Sequence, residues 1–231
     1  MAEYRGILIL GEISEGNLTI STAELLNTGR RLADELKEPM NILLIGKNLQ
    51  ETAQSAIFLG ADAVYLIEGP PFAECPPDFY VLLIDNVCRK IQPAIVLFGQ
   101  TDMGRDVAPR LGARQGANIC LDCIKLDIDS DTNSLLQTKP VYGGNAISVW
   151  TSQLTHPQII TMRSRASEPT DTDVTKKGKI IQIKVEVDEE MIKSNLLETV
   201  KKEAKGIRLE DAKVIVAGGG GIGGNLGFQV I

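Results

Sequence analysis

The chain has 231 residues, 43% of them hydrophobic and 23% charged, an ordinary globular composition with room for one large or two modest domains. A net charge of -6 and a pI near 5.0 argue against a nucleic-acid partner, because gripping phosphates takes clustered Lys and Arg. Apolar runs such as residues 7–10 and 94–98 fall far short of the roughly 20 residues that span a bilayer, so no membrane insertion is expected. The N-terminus carries no signal-peptide or transit-peptide pattern, and four cysteines do not make a secreted disulfide framework; a cytoplasmic protein is the expectation.

Residues 5–11 (RGILILG) form a nearly continuous apolar run ending in glycine, the pattern of a strand buried on both faces of a parallel sheet. Ser21, Thr22, Ala23 and Glu24 read as a capping box, and Leu25, Leu32 and Leu36 keep one helical face apolar until Pro39. The alternation continues with strands at 40–46, 63–67 and 94–99 and helices at 49–59, 78–91 and about 105–115. This rhythm predicts an α/β fold with a parallel sheet and helices on both faces. From residue 118 it changes: 119–128, 134–141, 147–151 and 158–162 read as successive strands joined by polar turns, an antiparallel extension of the same sheet. Residues 168–179 read as an exposed polar loop, 179–187 as a strand, and 189–205 as a helix. After a connector at 206–211, residues 213–217 read as a short strand leading into a segment where six of the seven positions 218–224 are glycine.

That segment fits G-x-G-x-x-G twice, through Gly218, Gly220 and Gly223 and through Gly219, Gly221 and Gly224. Such glycines let the backbone turn tightly and bring its N–H groups against a phosphate. The pattern gains force only from a following helix, a second strand and an acidic residue about 20 positions on, so the alternative is a flexible tail. Cys120 and Cys123 have C-x-x-C spacing, suited to a redox dithiol or half a zinc site. Cys75 and Cys88 form no second such pair and His156 is the only histidine; in an extended strand, moreover, residues three apart face opposite sides, so two small buried hydrophobes are the plainer reading. A single histidine also argues against hydrolytic catalysis and multi-histidine metal sites, so no catalytic or metal residues are expected. Glu189 with Glu190, and Asp127, Asp129 and Asp131, fall at a helix start or in turns, where solvation and capping are their usual roles. Residues 104–114 (GRDVAPRLGAR) follow the C-terminal edge of the fourth strand, where open α/β sheets bind ligands; Arg105 and Asp106 there serve either a site or a helix cap. Residues 140–146 (PVYGGNA) read as a tight hairpin connection.

Taken in order, five stretches resemble the alpha subunit of electron transfer flavoproteins: 8–12 (LILGE), 104–114, 141–146 (VYGGNA), 161–163 (TMR) and 209–222 (LEDAKVIVAGGGGI). The resemblance runs nearly end to end and implies a Rossmann-like sheet of the adenine nucleotide alpha hydrolase type. It implies a non-enzymatic electron carrier that works as a heterodimer with a beta subunit and takes electrons from acyl-CoA dehydrogenases or related donors through FAD. On this reading residues 1–206 are a scaffold domain and 207–231 begin a FAD-binding domain that the chain does not finish. Gly218, Gly219, Gly220 and Gly221 would then approach FAD only in the complete protein, and this chain alone would bind none. The family has an arginine where this chain has Gly220. A free-standing nucleotide-binding domain, with its site near Gly11, Gly46 and Gly99, is the rival expectation.

Overall fold

A computed structural model describes residues 4–69, 76–152 and 155–185 and, toward the C-terminus, 197, 198, 200, 212, 214–224, 227 and 229. The chain divides into two units, residues 1–196 and 197–231.

The first unit opens with β1 (Ile7–Leu10), all four residues of which are buried, as a strand covered on both faces requires. A small hairpin, β2 (Ile13–Ser14) and β3 (Asn17–Leu18), turns at Glu15 and Gly16, both at positive φ. Helix α1 (Ile20–Leu36) follows. Its N-cap is Thr19, whose hydroxyl accepts from the Thr22 amide at 3.2 Å, two residues before the expected box. Glu24 is instead buried and accepts from the Arg165 amide at 2.8 Å, tying the helix to the far end of the sheet. The helix ends at Lys37 in the left-handed conformation, just before Pro39.

The alternation then runs β4 (Met40–Gly46), α2 (Gln50–Phe58), β5 (Ala63–Glu68), α3 (Pro77–Ile91), β6 (Ile95–Gly99) and α4 (Asp102–Gln115). Next come β7 (Ile119–Cys123), β8 (Lys125–Ile128), β9 (Leu135–Val141), β10 (Ala146–Thr151), β11 (Gln158–Met162) and β12 (Lys179–Gln182). Seven strands make one parallel sheet in the order β12-β5-β4-β1-β6-β11-β7. Alternate residues of β1 enter two cores: Ile7 and Ile9 pack with Leu25, Leu26 and Leu32 of α1 and Ala53 and Ile57 of α2, whereas Leu8 and Leu10 pack with Phe79 and Leu83 of α3 and Val107 and Leu111 of α4. The α/β fold with helices on both faces is therefore present.

The antiparallel part differs in detail from the expectation. The stretch 119–128 breaks at Ile124 into two strands of different sheets, and 158–162 lies parallel, between β6 and β7. Within residues 119–162 only β8, β9 and β10 are antiparallel, in a sheet of their own. The reason is topological: two parallel neighbours such as β7 and β11 need a connection that returns the chain to the starting edge, and here a small sheet makes the crossover that a helix usually makes. The Ile124 amide donates to the Thr138 carbonyl at 2.8 Å and roots this sheet at the end of β7.

The expected loop at 168–179 is largely exposed and free of strand and helix as far as residue 178, with β12 beginning one residue on, and β12 is shorter than the run 179–187 suggests. The expected helix at 189–205 lies almost wholly outside the described residues, and the three described positions within it, 197, 198 and 200, are not helical. In the second unit, residues 214–217 are not in a strand, and Val214, Ile215 and Val216 are exposed. A strand exists only through a ladder with neighbours, and among the described residues these three pair in no ladder.

Candidate functional site

The chain leaves β1 for β4 and β5 on one side and returns to β6 on the other, so the strand order reverses between β1 and β6. Open α/β sheets bind ligands outside the carboxyl ends of the strands at such a point. Here the glycines that end the strands are closely packed. A Cβ on Gly11 would lie 2.4 Å from Cδ2 of Leu44, one on Gly99 would lie 2.6 Å from the Ser21 hydroxyl, and one on Gly46 would lie 3.3 Å from Leu49. The three glycines that the nucleotide-binding reading rests on make room for the protein's own side chains. Gly104, first of the 104–114 motif, is tighter still: its Cβ would sit 1.9 Å from the Gly99 carbonyl oxygen. Glycine there lets the first turn of α4 rest on the end of β6.

Over this packing lies a layer of satisfied polar groups. Thr101 caps α4 by accepting from the Gly104 amide at 3.0 Å and donates its own proton to Glu12 at 2.6 Å. Burial pushes the Glu12 carboxyl above its ordinary value; the Thr101 hydrogen bond pulls the other way and nearby Asp102 adds to the rise. Asp106 pairs with Arg110 at 2.8 Å rather than with Arg105, and Arg114 reaches Asp85 on α3 at 3.4 Å. Most of the 104–114 motif thus seats α4 against β6 and α3, while Arg105 stays exposed.

The Cys120 and Cys123 region departs from expectation. Cys120 pairs with Ile160 and Cys123 with Met162, so β7 spends one more residue than β11 over this stretch. This is a β-bulge, with Asp122 at φ 63. Because Ile160 and Met162 share a face, so do the two cysteines; both are buried and their sulfurs stand 3.4 Å apart. The rule for an extended strand fails because the strand is not regular there. The displaced Asp122 amide is satisfied by the Thr161 hydroxyl at 2.8 Å, and Thr161 in turn donates to Gln100. Arg163 closes the bulge: its Nε and a terminal nitrogen grip the Asp122 carboxylate at 2.9 and 2.6 Å, and its amide donates to the Cys123 carbonyl at 2.8 Å. The guanidinium holds the Asp122 carboxyl below the usual range. The TMR stretch is thus the clamp on the bulge.

The hairpin of β9 and β10 turns through Tyr142, Gly143 and Gly144, all at positive φ, with the Asn145 side-chain amide donating to the Tyr142 carbonyl at 2.9 Å. β10 is an edge strand, and it carries Ile147, Val149 and Trp150 at 58%, 59% and 56% exposure, with Tyr142 at 84%. Large apolar groups exposed on an edge strand are the usual signature of an interaction surface. The sequence signal was present in adjacent Val149 and Trp150 with Ile147, and only the strand order shows that nothing in the hairpin's own sheet covers them.

In the second unit, Gly218 is exposed, and a Cβ on Gly219, Gly220 or Gly221 would meet nothing within 4 Å. Gly220–Ile222 form one 3-10 turn, in which the Ile222 amide donates to the Gly219 carbonyl at 3.1 Å, and Gly223 and Gly224 follow at φ 73 and 105. The remaining candidates are structural. His156 stacks on Tyr4 with ring centroids 5.6 Å apart. Asp127 pairs with Lys125 at 2.7 Å, and Asp129 caps its own turn by accepting from the Asp131 and Thr132 amides. Glu189 and Glu190 lie outside the described residues. Among the described residues no three His, Cys, Asp or Glu side chains cluster as a metal site would need, and no helix is long and apolar enough to cross a membrane.

Comparison with known proteins fits this architecture. Residues 7–188 match the model of the electron transfer flavoprotein domain. The electron transfer flavoprotein subunit alpha of Thermoanaerobacterium thermosaccharolyticum is 34% identical over 231 residues, covering 100% of this chain and 70% of the relative. The subunit alpha of Megasphaera elsdenii is 31% identical over 229 residues, covering 99% of this chain and 68% of the relative. The lactate dehydrogenase (NAD(+),ferredoxin) subunit LctC of Acetobacterium woodii is 31% identical over 219 residues, covering 95% of this chain and 52% of the relative. Matched by the family model over most of its length and by alpha subunits across the whole of it, the chain belongs to the electron transfer flavoprotein family, whose members carry electrons.

Proposed function

We propose that this chain is the scaffold and docking part of an electron transfer flavoprotein alpha subunit, working with a beta subunit and carrying electrons from acyl-CoA dehydrogenases or related donors through FAD. On this reading residues 1–206 are the scaffold and 207–231 the opening of a FAD-binding domain. One observation carries it: the glycines that end the parallel strands make room for the protein's own side chains, while the β10 edge presents Ile147, Val149 and Trp150 to solvent. A fold whose strand-end glycines serve its own packing and whose edge strand is apolar is suited to holding another chain rather than a small molecule.

The glycine segment fits the phosphates of FAD through backbone alone. Gly218, Gly219, Gly220 and Gly221 have no side chains in the way, and the first N–H groups of a helical turn lack partners within it. No side chain adds positive charge at Gly220, so the hold is weak until the partner subunit and the rest of a flavin site contribute. FAD, when bound, supplies one- and two-electron redox chemistry; this chain's contribution is to seat its phosphates.

The test is co-purification with a cognate beta subunit, read together with the flavin absorbance spectrum. The chain alone is expected to be colourless and to form a stable complex with the beta subunit. Replacing Val149 by Asp is expected to weaken that complex by about 2 kcal/mol, roughly thirtyfold, as for a central interface residue. Stoichiometric flavin on the chain alone, or undiminished affinity of the Val149→Asp protein, would overturn the proposal.

A further inference from the structure

The bulge in β7 gives the two cysteines an arrangement that neither the fold nor the scaffold role requires. A regular strand would send them to opposite faces. The extra residue, with Asp122 at φ 63, brings their sulfurs to 3.4 Å, and three separate contacts hold the irregularity in place: the Thr161 hydroxyl on the Asp122 amide, the Arg163 guanidinium on the Asp122 carboxylate, and the Arg163 amide on the Cys123 carbonyl. Left-handed backbone at a non-glycine residue persists only where its surroundings impose it.

We propose that Cys120 and Cys123 are a reversible dithiol–disulfide pair, a modification site that takes low-molecular-weight disulfides. From 3.4 Å the sulfurs need to close by roughly 1.4 Å to reach bonding distance, within reach of side-chain rotation and a small backbone adjustment. β7 is the last strand of its sheet and is flanked there by the small sheet, rooted at Thr138, so it is a shift of that small sheet that exposes the bulge. Cys120 is the attacking group. The Cys123 thiol donates to its sulfur and Lys139 adds positive potential, which together outweigh burial and hold the Cys120 thiol down to about 7. The Cys123 thiol is pushed up by the same hydrogen bond and by burial, with Asp122 adding to the rise.

The exchange balances without another reactant. The Cys120 thiolate attacks one sulfur of glutathione disulfide, the S–S bond breaks, and one glutathione leaves as thiolate, leaving a mixed disulfide on Cys120. Cys123 loses its proton to solvent and attacks the Cys120 sulfur, expelling the second glutathione. Two protein thiols are oxidised to one disulfide as one glutathione disulfide is reduced to two thiols. Cys88 takes no part: it is buried, and its thiol is pushed up to about 12 by burial and by the charge of Asp85.

The experiment equilibrates the full chain with glutathione buffers from reducing to oxidising, quenches the thiols by alkylation, and reads intact mass and the peptide that bears residues 120–123. The expected result is a chain that takes up two fewer alkyl groups than the reduced control, both lost together at Cys120 and Cys123, with the peptide lighter by about 2 Da before alkylation is counted, and reversed on return to reducing buffer. The Cys123→Ser protein is expected to stop at the glutathione adduct on Cys120. Thiols that stay free at oxidising ratios, or an adduct on the unaltered protein that never resolves to the internal disulfide, would overturn the proposal. The measurement on the unaltered chain decides it even if the variant does not fold.

Discussion

Glycines follow an apolar run in both units, at Gly11, Gly46 and Gly99 in the first and at residues 218–224 in the second, yet they are there for opposite reasons. In the first unit the space a side chain would take is already filled, by Leu44, by Leu49 and by Ser21, and at Gly104 by the backbone carbonyl of Gly99 itself. In the second, Gly219, Gly220, Gly221, Gly223 and Gly224 meet nothing within 4 Å. A strand followed by glycine therefore does not by itself mark a phosphate site. What distinguishes the two cases is whether the missing Cβ makes room for the protein or for something else.

The sharpest way to break this contrast is to add one methyl group at each place. Gly104→Ala drives a Cβ toward a backbone oxygen at 1.9 Å, and no side chain can swing aside to relieve it. Helix α4 has to slide off β6, at a cost of about 3 kcal/mol or more in urea unfolding. Gly220→Ala adds its methyl to open space and is expected to stay within about 0.5 kcal/mol. Equal costs at the two positions would show that the glycines are not distinguished by packing.

A smaller effect sharpens the description of the strand ends as a satisfied polar layer. Thr161 is fully buried, accepts from the Asp122 amide at the bulge and donates to Gln100. Thr161→Val keeps the shape but leaves a buried amide without its acceptor, so a loss of about 1–3 kcal/mol is expected by denaturant unfolding. Protection of the Asp122 amide from hydrogen exchange should fall with it. A variant as stable as the parent, with protection unchanged, would mean that the bulge is held by Arg163 alone.

The parallel body was legible because its residues obey local rules: residues 7–10 are apolar without interruption and 40–46 are so apart from Asn41, and the helix between them repeats an apolar face. The direction of β11 was not, since nothing in residues 158–162 says that the chain has crossed back before entering the sheet; that is fixed by β8, β9 and β10 as a group. The bulge escaped for a related reason. Asp122 has no intrinsic need for φ 63 and takes it because Thr161 and Arg163, distant in sequence, make that conformation worthwhile. Glu24 was legible as polar and near a helix start, but its partner, the Arg165 amide, lies on the far side of the chain. Residues whose roles depend on one neighbour in sequence were readable, and those whose roles depend on a partner across the fold were not.

Glu12 offers the gentlest test of how closed the strand ends are. It is a carboxylate partly buried beside Thr101, and burial raises its pKa above the ordinary carboxylate value in the folded protein. A carboxyl raised on folding binds its proton more tightly in the native state than in the unfolded one, so stability declines as pH rises from the ordinary carboxylate value through the raised one and levels off above it. Glu12→Gln keeps an oxygen to accept from Thr101 and removes the charge. The variant should therefore lack this decline and be at least as stable as the parent at neutral pH. Thermal unfolding of both proteins across the acid range measures the difference. Parallel stability curves would mean that water reaches Glu12 freely, and the gap between β1 and β6 would then be open enough to admit a ligand after all.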